Sequence, residues 1–381
     1  MDRIYMDNAA TTPLSETALN AMLPLLKENF GNASAVYGTG RDARKALESA
    51  RRQVASLIGA KPNEIYFTSG GTESDNWALK CVAFANQDKG KHIITTVIEH
   101  HAVLHSCEWL EKNGFEVTYL PVDHVGRVAP SAVENAIRPD TILISVMTAN
   151  NEIGTIQDIA AVGAVAKAHN IPFHTDAVQA MGIMDVNVDR ISCDLLSMSA
   201  HKFHGPKGVG VLYVRTGTKV DNLIHGGAQE RGKRGSTENV AGAAGLAAAL
   251  QEACDHREAN QQKIRSLSAL LKDGLLSVEG ASLNGDPVDR LPGNVNISVT
   301  GVEGEAMLLR LDLMGIAASA GSACTSGSLD PSHVLKAIGL TDAQASGSIR
   351  FSLSADNTEE EVQEVIQAVK KITADLRKMR N

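Results

Sequence analysis

From about residue 60 to residue 215, short apolar segments with the character of buried strands alternate with segments that have helical spacing. The strand-like segments are apolar at almost every position, as in strands covered on both faces. Because parallel neighbours need a crossover, usually a helix, this alternation predicts a mainly parallel sheet between two helical layers. The predicted strands lie in EIYFTS (64–69), HIITTVIE (92–99), EVTYLPV (116–122), TILISVMTA (141–149), IPFHTDAV (171–178) and at both ends of LLSMSAHKFHGPKGVGVLYV (195–214).

The rest of the chain has a different organisation. A helical pattern occupies residues 41–58, and a long one runs from about 240 to 277. Strands and helices then follow around a Gly/Ser loop, which indicates a smaller α+β domain. We expect a large domain over 14–257 and a small domain made of 1–13 and 258–381.

Composition excludes several classes of protein. The net charge is −8 with acidic and basic residues mixed along the chain, which argues against a nucleic-acid partner. The longest apolar stretch, residues 240–250, is short and made of small residues, so no membrane span is expected. The N-terminus lacks the pattern of a signal peptide, and the five cysteines form no CxxC pair, so a cytoplasmic protein without a disulfide framework or a zinc site is predicted.

A glycine-rich turn follows the first predicted strand, in FTSGGTESDN (67–76). Glycines let the backbone approach an anion, and free N–H groups at a helix start favour a phosphate. A tight turn capped by Thr72 explains the same residues. The turn is neither a Walker loop nor a GxGxxG dinucleotide turn.

Two more predicted strands end in polar side chains. Asp176 and Gln179 follow IPFHT, and Ser199, His201 and Lys202 follow LLSM. Asp176 is equally well explained as a helix N-cap, and a lysine in such a turn is ordinarily a solvated surface residue.

A phosphate cradle, a carboxylate and a lysine, each at the carboxyl end of a strand, together match what pyridoxal phosphate requires. The lysine forms a Schiff base with the aldehyde, the carboxylate keeps the pyridine nitrogen protonated, and backbone donors hold the phosphate. An aromatic ring often stacks on this cofactor, and His100 or His101 is placed to supply one.

Cys324 lies among small, flexible residues in ASAGSACTSGSLDPSHVL (318–335). Glycine and serine on both sides permit exposure and movement, which are conditions under which a thiol reacts. An ordinary buried cysteine has little reason to occur in so polar a loop. The other four cysteines are expected to be small buried hydrophobes.

With these motifs in place, the sequence resembles the cysteine desulfurases of the NifS/IscS type, within the class V aminotransferase-like group. The resemblance spans nearly the whole chain and implies a pyridoxal-phosphate transferase fold of the aspartate-aminotransferase type, with a mainly parallel seven-stranded sheet. Its motifs are DNAATTP (7–13), FGNASAVY (30–37), TSGGTESDN (68–76), EHHAVL (99–104), ANNEIGTIQDI (149–159), HTDAVQ (174–179), SAHKFHGPKGVG (199–210), GGAQERGKRGSTEN (226–239) and SACTSGSLDPSHVL (322–335).

The resemblance assigns roles around the cofactor. It implies that Lys202 is the covalent link, that Asp176 is the partner of the pyridine nitrogen, and that His100 stacks on the ring. Gln179 would contact the ring hydroxyl, and Thr237 would reach the phosphate in the other subunit of a homodimer. The full set of implied cofactor contacts is Gly71, Thr72, His100, Asn151, Asp176, Gln179, Ser199, Ala200, His201, Lys202 and Thr237.

The resemblance also implies a reaction, the conversion of L-cysteine to L-alanine with Cys324 as the sulfur acceptor. Arg350 would bind the substrate carboxylate, with Asn151 nearby. Cys324, in an extended, mobile loop, would hold a persulfide for an iron–sulfur scaffold or another sulfur acceptor; no resident metal is expected, although Cys324 could contact an iron–sulfur cluster transiently. Selenocysteine lyase, another class V reaction, and a catalytically silent partner in cluster assembly are the alternatives.

Overall fold

The computed structural model describes residues 3–320 and 331–380. In this part of the chain the central sheet has seven strands in the order β2-β8-β7-β6-β5-β3-β4, with two smaller sheets beside it. The predicted fold class is confirmed. The strands are β1 Ile4–Tyr5, β2 Ile65–Thr68, β3 His92–Thr96, β4 Glu116–Leu120, β5 Thr141–Ser145, β6 Phe173–Asp176, β7 Leu195–Ser199, β8 Gly210–Val214, β9 Ala281–Leu283, β10 Asn294–Val299, β11 Ile316–Ala317 and β12 Ser348–Ser352.

The helices of the described chain connect and cover these strands. A π-helical turn, Trp77–Cys81, joins α3 and α4. The helices are α1 Glu16–Lys27, α2 Gly38–Ile58, α3 Gly71–Asn76, α4 Val82–Ala85, α5 His101–Lys112, α6 Pro130–Ala136, α7 Ile159–Ala168, α8 Val240–Asp255, α9 Arg257–Leu276, α10 Gly304–Leu313, α11 His333–Ala337, α12 Asp342–Ser346 and α13 Glu359–Arg380.

The strand directions bring several loops to one edge of the central sheet. Strands β3 to β7 pair in parallel, and only β8 runs against its neighbours β2 and β7. The carboxyl ends of β2, β3, β5, β6 and β7 therefore share an edge, which is where ligands collect in open α/β sheets.

Buried apolar side chains cover both faces of the central sheet and form a separate core in the C-terminal part. Helix α8 packs against α1 and α2, and their core includes Leu47 and Phe173. Trp77 belongs to the cluster on the other face. The C-terminal core contains Met6 and Phe351 together with apolar residues of α9 and α13. The domain boundaries predicted above stay a prediction.

Two sequence expectations need correction. The helical pattern predicted over about 240–277 is divided at His256, whose φ of −101° and ψ of 7° separate α8 from α9. Asp176 does not cap a helix; its carboxylate instead accepts the N–H of Val178 in a turn after β6, at 2.9 Å.

Across residues 3–320 and 331–380, the helices lack the combination of length and apolar character that a membrane crossing requires.

Candidate active site

A cavity of about 410 Å³ lies at the carboxyl edge of the central sheet. The loops after β2, β3, β5, β6 and β7 all reach it, together with the N-terminal segment and β12. The predicted site residues that line it are Gly71, Thr72, His100, Asn151, Asp176, Gln179, Ser199, His201, Lys202 and Arg350.

The glycine-rich turn makes a close backbone approach to the end of β7. Gly70 has a φ of 154°, within the region that favours glycine. A Cβ added at Gly71 would lie 2.7 Å from Val178 Cγ2 and 3.8 Å from Ser199 Cβ. A Cβ at residue 71 would therefore clash with Val178, and glycine keeps the start of α3 open beside Ser199, where backbone N–H groups of the first helical turn and a hydroxyl suit a phosphate.

Lys202 lies in a short 3₁₀ turn directly after β7. Its Nζ donates hydrogen bonds to the carbonyl oxygens of Ala9 and Ala10, at 2.6 and 2.7 Å. Gln179 Nε2 donates to the Ala9 carbonyl as well, at 3.0 Å. The N-terminal segment thus holds the amine at the cavity wall, a contact that spacing along the chain does not reveal.

Asp176 ends β6 with its carboxyl group buried, and 6% of the residue is exposed. Burial raises its pKa to about 6, while the Val178 N–H and the positive charge of Lys202 oppose the rise. A carboxylate that is removed from solvent in this way is stabilised by a cationic ring N–H placed beside it.

The cavity histidines are held neutral. Burial lowers the pKa of His100 to about 4, helped by the charge of Lys202. His100 Nδ1 accepts the N–H of Ala102 at 3.1 Å, which leaves the ring proton on Nε2. Burial and Lys202 likewise lower the pKa of His201 to about 4, and its Nδ1 lies 3.1 Å from Thr11 Oγ1.

Arg350, on β12, brings a buried guanidinium group to the cavity from the C-terminal core, with 2% of the residue exposed. Its Nη1 donates to the Asn151 carbonyl oxygen at 2.9 Å, and its Nη2 donates to Asp7 Oδ1 at 2.8 Å. Each Nη atom keeps a second N–H, so the fork can still take a carboxylate in bidentate fashion.

Two of the predicted site residues that the structure describes do not line this cavity. Ala200 is fully buried behind it, and Thr237 is exposed. Ser236, next to Thr237, has a φ of 97°, the region that favours glycine. Cys324 lies outside the described residues.

The cavity also contains charged or polar side chains to which the sequence analysis gave no role. Each lies inside a quoted motif, and two of them, Glu99 and Glu152, directly adjoin the assigned residues His100 and Asn151, which is the signal that could have found them. They are Asp75, Glu99, Glu152 and His333.

Buried carboxyl groups gather at the cavity floor. Glu99 is fully buried; its Oε1 accepts hydrogen bonds from Thr96 Oγ1 and the Met147 N–H, at 2.8 and 2.9 Å. Burial raises the pKa of Glu99 to about 8. Asp75 is 1% exposed, and burial and the negative charge of Asp176 raise its pKa far above the usual range. Neighbouring carboxyl groups that are removed from solvent cannot all ionise, so Glu99, with its pKa of about 8, keeps its proton at neutral pH, and the neutral form of Asp75 is favoured.

The protonation of Glu99 predicts a pH-dependent stability. The folded protein keeps this proton up to about pH 8, whereas a solvated glutamate loses it near pH 4.5. The folded state then binds more protons than the unfolded state, so stability falls as pH rises. We expect the free energy of unfolding of the cofactor-free protein to fall by about 1 kcal/mol between roughly pH 7.5, where the histidines of the unfolded chain have largely lost their protons, and roughly pH 8.5.

Urea unfolding at several pH values checks this expectation. Glu99→Gln should flatten the dependence, although Glu152 and Asp75 contribute with the same sign. Glu108→Gln, a change at an exposed glutamate, is the matched control and should leave the slope unaltered. Equal slopes in all three proteins would show that Glu99 is ionised.

The donor set fits pyridoxal phosphate. The glycine cradle beside Ser199 matches a phosphate, the buried carboxylate of Asp176 matches a pyridine N–H, and Lys202 provides an amine within the same cavity. The described residues contain no cluster of three or more His, Cys, Asp or Glu side chains suited to a metal ion.

Known proteins of similar sequence and structure identify the family. The profile of the class-V aminotransferases matches residues 4–365. The chain is 54% identical to "Cysteine desulfurase IscS" of Methanosarcina thermophila over 376 residues, which cover 99% of this chain and 93% of that protein.

Solved structures agree with the sequence matches. A structure described as "NIFS-LIKE PROTEIN" superimposes with a TM-score of 0.92 at 39% identity, covering 98% of this chain and 99% of that one. Another, "SspA in complex with cysteine", gives a TM-score of 0.83 at 37% identity over 93% of this chain and 100% of that one. The resemblance noted in the sequence is therefore confirmed, and so is the cofactor at the level of the family. The chain belongs to the class-V aminotransferase family and, within it, to the pyridoxal-phosphate-dependent cysteine desulfurases of the NifS/IscS type.

Proposed function

We propose that this protein is a cysteine desulfurase that converts L-cysteine to L-alanine and transfers the sulfur to Cys324 as a persulfide. The observation that carries the proposal is the cavity itself, which is lined by the amine of Lys202, the carboxyl group of Asp176 and the buried guanidinium group of Arg350. This arrangement accommodates both an aldehyde cofactor and an amino-acid carboxylate.

The proposed cofactor contacts follow the chemistry of the cavity wall. When bound, pyridoxal phosphate supplies an aldehyde for the amine and a ring that accepts electrons from the substrate. The residues of the cavity wall proposed to hold it are Gly71, Thr72, His100, Asn151, Asp176, Gln179, Ser199, His201 and Lys202.

The chain's own side chains have separate tasks. The Lys202 amine removes the proton from the substrate Cα and later returns a proton. Asp176 would hold the proton of the pyridine nitrogen, and the neutral ring of His100 would stack on the cofactor without adding positive charge to the site. Arg350 orients the substrate carboxylate, and the Asn151 carbonyl and Asp7 fix the plane of its guanidinium group.

The sulfur step balances without an external oxidant or reductant. The Cβ–S bond of cysteine breaks, a bond forms between that sulfur and Cys324 Sγ, and the electron pair of the broken bond stays on carbon, which takes up a proton. L-cysteine and one thiol thus become L-alanine and one persulfide. On either side of Cys324 in the sequence, described residues contact the cavity wall. Ser319 is hydrogen-bonded to Arg350, and His333 contacts the carbonyl oxygen of Glu99.

The proposal extends to partners and location. Thr237 is exposed on a loop bound to the glycine-rich turn through an Arg234–Glu73 ion pair, with Nε–Oε1 at 2.8 Å. This position supports a homodimer in which Thr237 serves the partner's cavity. An iron–sulfur scaffold or another sulfur carrier would take the persulfide, in the cytoplasm.

Mass spectrometry after incubation with L-cysteine tests the function. The holoenzyme should form alanine and gain one sulfur on the peptide that contains Cys324, and reductant should remove it. The peptide that contains Cys254, a partly exposed thiol, is the internal control and should not change. Sulfur on neither peptide, with alanine still formed, would exclude the persulfide route and favour a different class V reaction.

A further inference from the structure

The Cys324 segment, defined as residues 321–330, is flanked on both sides by residues bonded to the cavity wall. Before it, Ser319 and Arg350 exchange two backbone hydrogen bonds, from Ser319 N–H at 3.1 Å and from Arg350 N–H at 2.7 Å. After it, Ser332 begins the turn into α11 as its N-cap, with its Oγ accepting the N–H of Leu335 at 3.2 Å.

A side-chain hydrogen bond ties this second flank to the cavity. The Ser332 hydroxyl donates to Glu152 Oε2. Both residues are buried, at 6% and 3% exposed, and Glu152 lines the cavity. The next residue, His333, lies with its Nε2 3.1 Å from the Glu99 carbonyl oxygen, a second bond from the same turn to the cavity wall.

Glu152 is itself fixed by its backbone. Its N–H donates to Asn150 Oδ1 at 2.8 Å, and its carbonyl oxygen accepts from Asn296 Nδ2 at 2.9 Å and Asn294 Nδ2 at 3.2 Å. Asn294 and Asn296 lie on β10, in the C-terminal part of the chain. Because the backbone of Glu152 is held by these three hydrogen bonds, its carboxyl group fixes the position of the Ser332 hydroxyl. A buried hydrogen bond to a carboxyl group is costly to break.

We propose that Glu152 is a positioning residue for sulfur transfer, which fixes the base of the Cys324 segment at the cavity through the Ser332 hydroxyl. Glu152 exchanges no atoms or electrons in the reaction. Its contribution is to fix Ser332, the residue from which the chain runs back toward Cys324, against the cavity wall. The inference rests on the proposed function and adds a residue to it.

Rapid mixing and quenched mass spectrometry separate the two steps that matter. The change in cofactor absorbance on adding L-cysteine reports substrate binding, and the sulfur gained on the Cys324 peptide reports transfer. In the holoenzyme, Glu152→Ala and Ser332→Ala should each slow transfer by about tenfold or more, because small misplacements of a reacting group are expensive. The absorbance change should keep its rate within about twofold, since the hydrogen bond joins the segment and not the substrate.

Conservative variants and a double variant sharpen the test. Glu152→Gln and Ser332→Thr retain an acceptor and a hydroxyl, and should transfer within about threefold of the wild type. The Glu152→Ala/Ser332→Ala double variant should be no slower than the slower single variant, as for two residues that act through one contact.

The outcomes are distinct. A wild-type rate of sulfur transfer in both alanine variants would overturn the inference. An equal loss in the rate of the absorbance change and in the rate of sulfur transfer would also overturn it, because that result indicates general damage to the site. Ser332→Ala keeps the Glu152 carboxyl group in the cavity, so its rate of sulfur transfer tests the inference even if Glu152→Ala does not fold. A wild-type enzyme that never gains sulfur would instead refute the proposed function.

Discussion

Replacing Lys202 with alanine is expected to lower kcat/KM for L-cysteine by about a thousandfold or more, because one amine is both the covalent anchor of the cofactor and the base at Cα. The protein should also lose the visible absorbance that survives dialysis in the wild type. The fold should be retained, since Lys202 is a partly exposed residue at the cavity wall and not part of an apolar cluster.

Lys207→Ala is the matched control for this change. Lys207 lies five residues along the same turn region and is exposed, outside the cavity lining. It should keep the absorbance and the rate of the wild type. Cofactor that stays covalently bound in Lys202→Ala, as shown by borohydride trapping, would mean that another amine forms the link.

The central sheet could be predicted because its signal is local. Strands such as β5 and β7 are mostly apolar and are buried at every position, so each can be recognised from a run of five residues. The positions of Asp176 and Lys202 followed from the same logic, since the carboxyl ends of parallel strands meet at one edge. Family motifs then supplied roles that spacing alone left open, including the choice of His100 over His101.

Other features depend on contacts between distant parts of the chain. The hydrogen bonds from Lys202 to Ala9 and Ala10 join residues nearly two hundred positions apart. Glu99 is buried because neighbouring loops pack over it, and its sequence position does not show this, since most glutamates are exposed to solvent. The break at His256 has no glycine or proline to mark it. These properties arise from tertiary packing, which overrides local preference.

The second large effect is expected at Asp176, where Asp176→Asn should lower kcat/KM by about 100-fold and weaken cofactor binding. Asn cannot carry the negative charge that holds a proton on the pyridine nitrogen, and loss of a charge-assisted hydrogen bond in a buried site costs about 1.5–3 kcal/mol. The absorption spectrum of the bound cofactor should shift, which a merely structural defect would not produce.

Asp75→Asn provides the test within the same cavity floor. Asp75 is more deeply buried than Asp176, and burial with the nearby Asp176 charge raises its pKa, which favours its neutral form. An amide of equal shape should therefore change kcat/KM by no more than about threefold. If Asp75→Asn were as damaging as Asp176→Asn, the two carboxyl groups would share the charge, and the assignment of a single ionised partner at Asp176 would be wrong. A harmless Asp176→Asn would place that partner elsewhere in the cavity.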